Sequence, residues 1–227
     1  MKFEKIDFKG LDAIVISNDD CGVDSVAIVT LFGAQLVSWT VNGEEQLYLS
    51  SIALFDKSKA IRGGCPIVFP QFGKPEGSEM AQHGFARTSD WQFEEKGYSG
   101  AVFTLMANEE TKKQWPHEFY LNVYVTPVGR SLEISLGVLN TGVETFKFQS
   151  LLHTYLRVPS IEKVKISGFQ EMKYKDHLGD KGTRTTPAGD DLIISREVDR
   201  EYQNYPQKKE VVITTGDKKH FSIKTKA

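Results

Sequence analysis

The chain has 227 residues, 40% of them apolar and 11% aromatic, which is enough to bury one sizeable core. Its 28 basic and 30 acidic side chains leave a formal net charge of -2, so no global field favours nucleic acid or an anionic bilayer as partner, and any anion site has to be local. No stretch reaches the length of a membrane span, MKFEKIDFKGLDAIVIS lacks the uninterrupted apolar core of a signal peptide, and a cytoplasmic location is the default expectation.

Short runs rich in β-branched and aromatic residues, bounded by turn residues, are the dominant signal. In chain order they are AIVIS about Ile14, SVAIVTLF about Ile28, LVSWTV about Trp39 and AVFTLMA about Phe103. FYLNVYVTPVGRSLEISLGVLN then reads as a hairpin closed at PVGRS, with Leu121, Val123 and Val125 facing Leu132, Ile134 and Leu136. KVKISG, DLIIS, EVVITTG and HFSIKT follow at a spacing that suits a sandwich rather than βαβ units. Long helical periodicity, low-complexity linkers and internal repeats are absent, and composition does not shift between the halves. The expected fold is therefore all-β, a large antiparallel β-sandwich forming one domain over residues 1–227. Cys21 and Cys65 have no metal-ligand spacing and are expected to be reduced and buried.

The unusual stretch runs from Ala60 to Arg87, AIRGGCPIVFPQFGKPEGSEMAQHGFAR, which is too rich in glycine and proline for a regular strand. Gly63 and Gly64 permit close backbone approach or positive φ, and Pro66 and Pro70 stiffen the path, so Arg62 and Gln71 are expected in fixed positions. Guanidinium forks suit oxyanions, amides suit paired hydroxyls, and an aromatic face suits the apolar side of a sugar ring. Arg62, Arg87, Gln71 and Phe72 supply all three. The plainer alternative pairs Arg62 and Arg87 with surface carboxylates such as Asp56 or Glu76.

A second constellation is FQSLLHTYLRVPS, in which His153 lies among Leu151, Leu152, Tyr155 and Leu156. A core or rim histidine would explain it as well as catalysis does. The presence of His83 and two arginines elsewhere tips the reading towards a general acid. His117, His177 and His220 lie in polar turns and are assigned to the surface. GxGxxG, GxxxxGKS and HExxH are all missing, and neither a metal nor an organic cofactor is expected.

KAIRGGCPIVFPQFG, QHGFARTSDW, LLHTYLRV and REVDREYQN resemble, in that order, successive motifs of the hexose-6-phosphate mutarotases, in the aldose 1-epimerase superfamily. The resemblance runs from GAQLVSW through REVDREYQN. It implies a galactose mutarotase-like supersandwich that binds a hexopyranose on its open face and interconverts α and β anomers of a hexose 6-phosphate. On it, His153 matches the general acid and Arg62 and Arg87 match the phosphate-binding arginines. His83 and Gln71 would contact hydroxyls, and Asp199 would be an acidic residue at the sugar site, unless it merely caps turn amides. The small-molecule hexose phosphate would then be the partner.

The resemblance also implies a C-terminal part carrying a tryptophan-asparagine-proline segment and a glutamate base, and this sequence stops at HFSIKTKA before either. A fold lacking the C-terminal strands is the expectation, with Glu197, Asp199 or Glu201 as substitutes for the base, or a catalytically impaired sugar-phosphate binding module as the outcome. Unpaired sheet edges would lower stability or favour self-association, so a monomer or a weakly self-associating species is expected.

Overall fold

The structure is a computed structural model that describes residues 1–20, 22–95, 100–178, 182–206 and 209–225. Contacts divide it into two compact units, Met1–Arg157 and Val158–Ala227, each taken by itself below.

In the first unit, β1 (Lys2–Phe8), β2 (Leu11–Asp20), β3 (Val23–Thr30), β4 (Gln35–Val41) and β5 (Glu44–Glu45) form an antiparallel meander in chain order. β4 and β5 are joined by Asn42-Gly43, both at positive φ, the pair that a two-residue hairpin turn requires. A second sheet has the order β10-β9-β8-β7, built from β7 (Gln92–Glu95), β8 (Ala101–Met106), β9 (Phe119–Val128) and β10 (Ser131–Asn140). The expected hairpin is present: Val123 pairs with Leu136 and Val125 with Ile134. Leu121, Val123 and Val125 are buried while their β10 partners are half-buried, as alternation on a strand with one covered face dictates. β9 packs on β2 and β3, so the core lies between the two sheets. The short helix Glu109–Gln114 is closed by Asn108, whose side chain accepts the Thr111 N–H while the Thr111 hydroxyl accepts the Asn108 N–H.

A two-stranded ladder of β6 (Ile67–Val68) and β11 (Leu151–Leu152) completes this unit. Behind it the fully buried Phe69 ring is surrounded by Phe85, Trp115, Phe119 and Phe148, with centroids 6.0, 5.3, 5.5 and 5.5 Å away.

The second unit has a four-stranded sheet, β15-β12-β17-β18, and a three-stranded sheet, β14-β13-β16. Their ranges are β12 (Val164–Ser167), β13 (Lys173–Asp176), β14 (Gly182–Thr185), β15 (Leu192–Ile193), β16 (Arg200–Tyr202), β17 (Glu210–Thr215) and β18 (Lys218–Lys224). Among its described residues only Val164, Tyr174, Ile213 and Phe221 are buried apolar groups. Every strand run read from the sequence is therefore present, in an almost wholly β chain. No helix among the described residues is long and apolar enough to cross a membrane.

His117, His177 and His220, expected in polar turns at the surface, are each partly exposed and in contact with a ring or a carboxylate. His117 is half-buried against Trp115 and Phe146, His220 is half-buried within β18, and half-buried His177 lies 3.3 Å from Glu201. Cys65 is free and buried, as expected; Cys21 lies outside the described residues.

Candidate functional site

Apart from β6 and a 3-10 turn at Ala86–Thr88, the segment from 60 to 87 is irregular, and its backbone is pinned from both sides. On one side Cys65 N–H donates to Leu36 O (2.8 Å) and Gly64 N–H to Tyr48 O (2.8 Å). On the other, His153 N–H donates to Pro66 O (3.0 Å) and Tyr155 N–H to Gly64 O (2.8 Å). Gly64 makes this squeeze possible: its φ is +64°, and a Cβ there would lie 2.1 Å from Leu36 O. The fully buried Gln35 amide adds a side-chain tie, donating through Nε2 to Ile61 O (3.0 Å) and Gly63 O (2.6 Å), the carbonyls on either side of Arg62. Arg62 is thus fixed through its backbone, and its guanidinium is exposed, without hydrogen bond or ion pair among the described residues.

His83 is held by a reciprocal clamp. Its own N–H donates to Gly73 O (2.7 Å), and Gly73 N–H donates to the ring Nδ1 (3.0 Å). A ring nitrogen that accepts cannot carry the proton, so neutral His83 bears it on Nε2 and presents a donor. Burial, then the Arg87 charge, then His153 push the His83 pKa below the ordinary histidine value, which keeps the neutral form at physiological pH. The ring sits 5.2 Å from Phe72 and 6.1 Å, edge to face, from His153, which in turn stacks on Tyr155 at 4.8 Å. His153 itself follows β11 rather than lying within it, and is half-buried.

Arg87 closes the group. It donates through Nη2 to Gln82 O (2.6 Å), and its Nε is buried without a partner among the described residues. Burial lowers its pKa from the usual arginine value, and Tyr155 opposes that shift. No ion pair with Asp56 or Glu76 is made by either arginine among the described residues; Asp56 instead accepts from Ser58 N–H (3.0 Å) and Oγ (2.5 Å).

The structure therefore brings together His83, Arg87, His153, Tyr155 and Phe72, with Arg62 backbone-linked to the same ladder. Gln71 is buried and turned onto its own loop, accepting from Ser78 Oγ (2.7 Å) and donating to Ala81 O (3.2 Å), so it braces the loop. Asp199 belongs to the second unit, where its side chain is exposed and its carbonyl accepts from His177 N–H (3.0 Å). The sequence reading passed over Gln35, Gly73, Tyr155 as a site residue, and Gln149. Gln35 had a signal, an amide heading the apolar strand QLVSWTV.

Chemically, the arrangement offers an aromatic row for the apolar face of a ring, a neutral N–H donor, a second imidazole for proton transfer and guanidinium for an anion.

The aldose 1-epimerase family profile matches residues 13–227. A protein of Cenchrus ciliaris provisionally named glucose-6-phosphate 1-epimerase is 37% identical over 96% of this chain and 68% of its own length. Its namesake in Escherichia coli K12 is 34% identical over 94% of this chain and 73% of its own. The crystal structure of a provisionally named mutarotase from Salmonella typhimurium superposes with a TM-score of 0.77 at 33% identity, covering 93% of this chain and 69% of that one. A galactose mutarotase related enzyme of Lactobacillus acidophilus shares the fold at a TM-score of 0.75 and 20% identity, over 89% of this chain and 73% of its own. A profile match over nearly the whole chain, on a galactose mutarotase-like fold, makes this protein a member of the aldose 1-epimerase family.

Proposed function

We propose that the chain interconverts the α and β anomers of a hexose 6-phosphate, glucose 6-phosphate being the first to test. The observation that carries this reading is the contact of His83 with His153, beside Arg87 and Tyr155. Anomer exchange needs a proton delivered to the ring oxygen as the C1 hydroxyl loses one; the C1–O5 bond then opens to the aldehyde, C1 rotates about C1–C2, and the ring recloses on the other face. His153 is the proton donor in this scheme and solvent water takes the C1 hydroxyl proton, while His83, its Nδ1 committed to Gly73, has no free nitrogen to accept one. His83 gives its Nε2–H to a sugar hydroxyl or the ring oxygen. Arg87, and Arg62 exposed nearby along the ladder, receive the phosphate as charge-assisted donors.

The test is two-dimensional NMR exchange between the anomers of glucose 6-phosphate with purified protein; acceleration over buffer supports the reading, and the buffer rate removes it. One observation favours a second reading, binding without turnover: besides burial, the groups that lower the His83 pKa are Arg87 and His153, and no carboxylate is among them. Calorimetry would then show glucose 6-phosphate binding that is lost in Arg87→Ala, with anomer exchange at the buffer rate.

A further inference from the structure

Gln149 is an exposed residue between β10 and β11, with nothing in its local sequence to mark it. Its bonds are not local. The backbone N–H donates to Pro70 O (2.8 Å), and the side-chain Oε1 accepts the N–H of Phe72 (3.0 Å), 77 residues away. Two hydrogen bonds thus bracket residues 70–72 from one anchor. On one side of the bracket, Phe72 lies against the His83 ring and the next residue, Gly73, clamps both the backbone and Nδ1 of His83. On the other side, Gln149 is four residues from His153, whose own N–H is fixed to Pro66 O.

We infer that Gln149 is a positioning residue: its side-chain oxygen holds the loop that carries Phe72 and the Gly73 clamp, and so fixes His83 in the Nε2–H tautomer facing His153. The inference rests on the proposed function for its effect on rate, but not for its effect on structure. A second imidazole 6.1 Å from the first is useful to a reacting sugar only in a fixed orientation. The Phe72 amide has its acceptor in the Gln149 side chain, and losing that acceptor frees the adjoining Gly73 amide to drift from Nδ1. Because Gln149 is exposed, its truncation leaves the buried core unchanged.

The experiment compares Gln149→Leu, which removes the acceptor, with Gln149→Glu, which keeps an oxygen there. In Gln149→Leu, kcat for anomer exchange falls by about ten- to a hundredfold, the range for misplacing a reacting group, while the thermal midpoint stays at that of the parent. The 15N spectrum of His83 shows both neutral tautomers, and the Phe72 amide exchanges faster with solvent. Gln149→Glu restores the Nε2–H tautomer, the slow Phe72 amide and most of kcat. The idea is overturned if Gln149→Leu keeps parental kcat and a single His83 tautomer, or if Gln149→Glu is as impaired as Gln149→Leu. Should the parent protein fail to accelerate anomer exchange, the proposed function falls, while the His83 tautomer and Phe72 exchange still decide the bracket by themselves.

Discussion

The proposed function gives His153, Arg87 and His83 separable roles, and substitutions should separate them. If His153 delivers the proton, His153→Ala lowers the exchange rate by about two to four orders of magnitude, the usual contribution of a general acid; a loss below about tenfold in the NMR assay assigns the acid elsewhere. Removing the Arg87 guanidinium takes away a charge-assisted hydrogen bond worth roughly 1.5 to 3 kcal/mol. Arg87→Ala should therefore raise the half-saturating concentration of glucose 6-phosphate about tenfold or more while sparing glucose, and equal effects on the two sugars contradict a phosphate role. His83 also predicts a pH dependence of stability. Its folded pKa lies below the ordinary value of 6.5, so the unfolded chain takes up the proton first as pH falls. Its contribution is complete above about pH 6.5 and is lost as pH falls towards the folded value. Melting curves between pH 8 and 5 should show a steeper acid decline in the parent than in His83→Gln, and parallel curves would refute this account.

At the scale of elements, legibility followed burial. β3, β4, β8 and β9 could be read because half or more of each strand is buried, which forces alternation or a continuous apolar run. β1 was not read: it is an edge strand with charged residues along both faces and no buried position, so burial placed no demand on its sequence. β5 was missed although Asn42-Gly43 announces a hairpin, because its two residues are too short to carry a period. The site divides the same way. Clustering of Arg62, His83 and Arg87 in one irregular stretch drew attention to them, whereas Gly73 and Gln149 act by hydrogen bonds to residues remote in sequence, which no local pattern records. β6 is the clearest dependence of an element on one residue. Gly64→Ala would place a methyl 2.1 Å from Leu36 O at positive φ, so the urea midpoint should drop by the equivalent of about 2 kcal/mol or more. An unchanged midpoint would mean the Tyr48–Gly64–Tyr155 ladder relaxes freely.

For the molecule as a whole, the two units hold very different amounts of buried apolar surface. The first has a core shared by both large sheets and the Phe69 cluster, whereas the second has four buried apolar residues among those described. Local opening costs least where burial is least. Hydrogen exchange under native conditions should therefore protect the amides of β3, β8 and β9 longest and release those of β13, β14 and β16 early, and uniform protection across the chain would contradict this distribution.

The Gly73–His83 clamp has one more consequence, for loop length. It ties off the neck of the excursion from 73 to 83, and the Gln71 bonds to Ser78 and Ala81 sew down its later half, leaving Lys74–Gly77 as a tip closed by the turn bond from Ser78 N–H to Pro75 O (3.0 Å). Residues added at that tip would lengthen a closed noose without pulling on the imidazole, so the His83–His153 geometry stays intact.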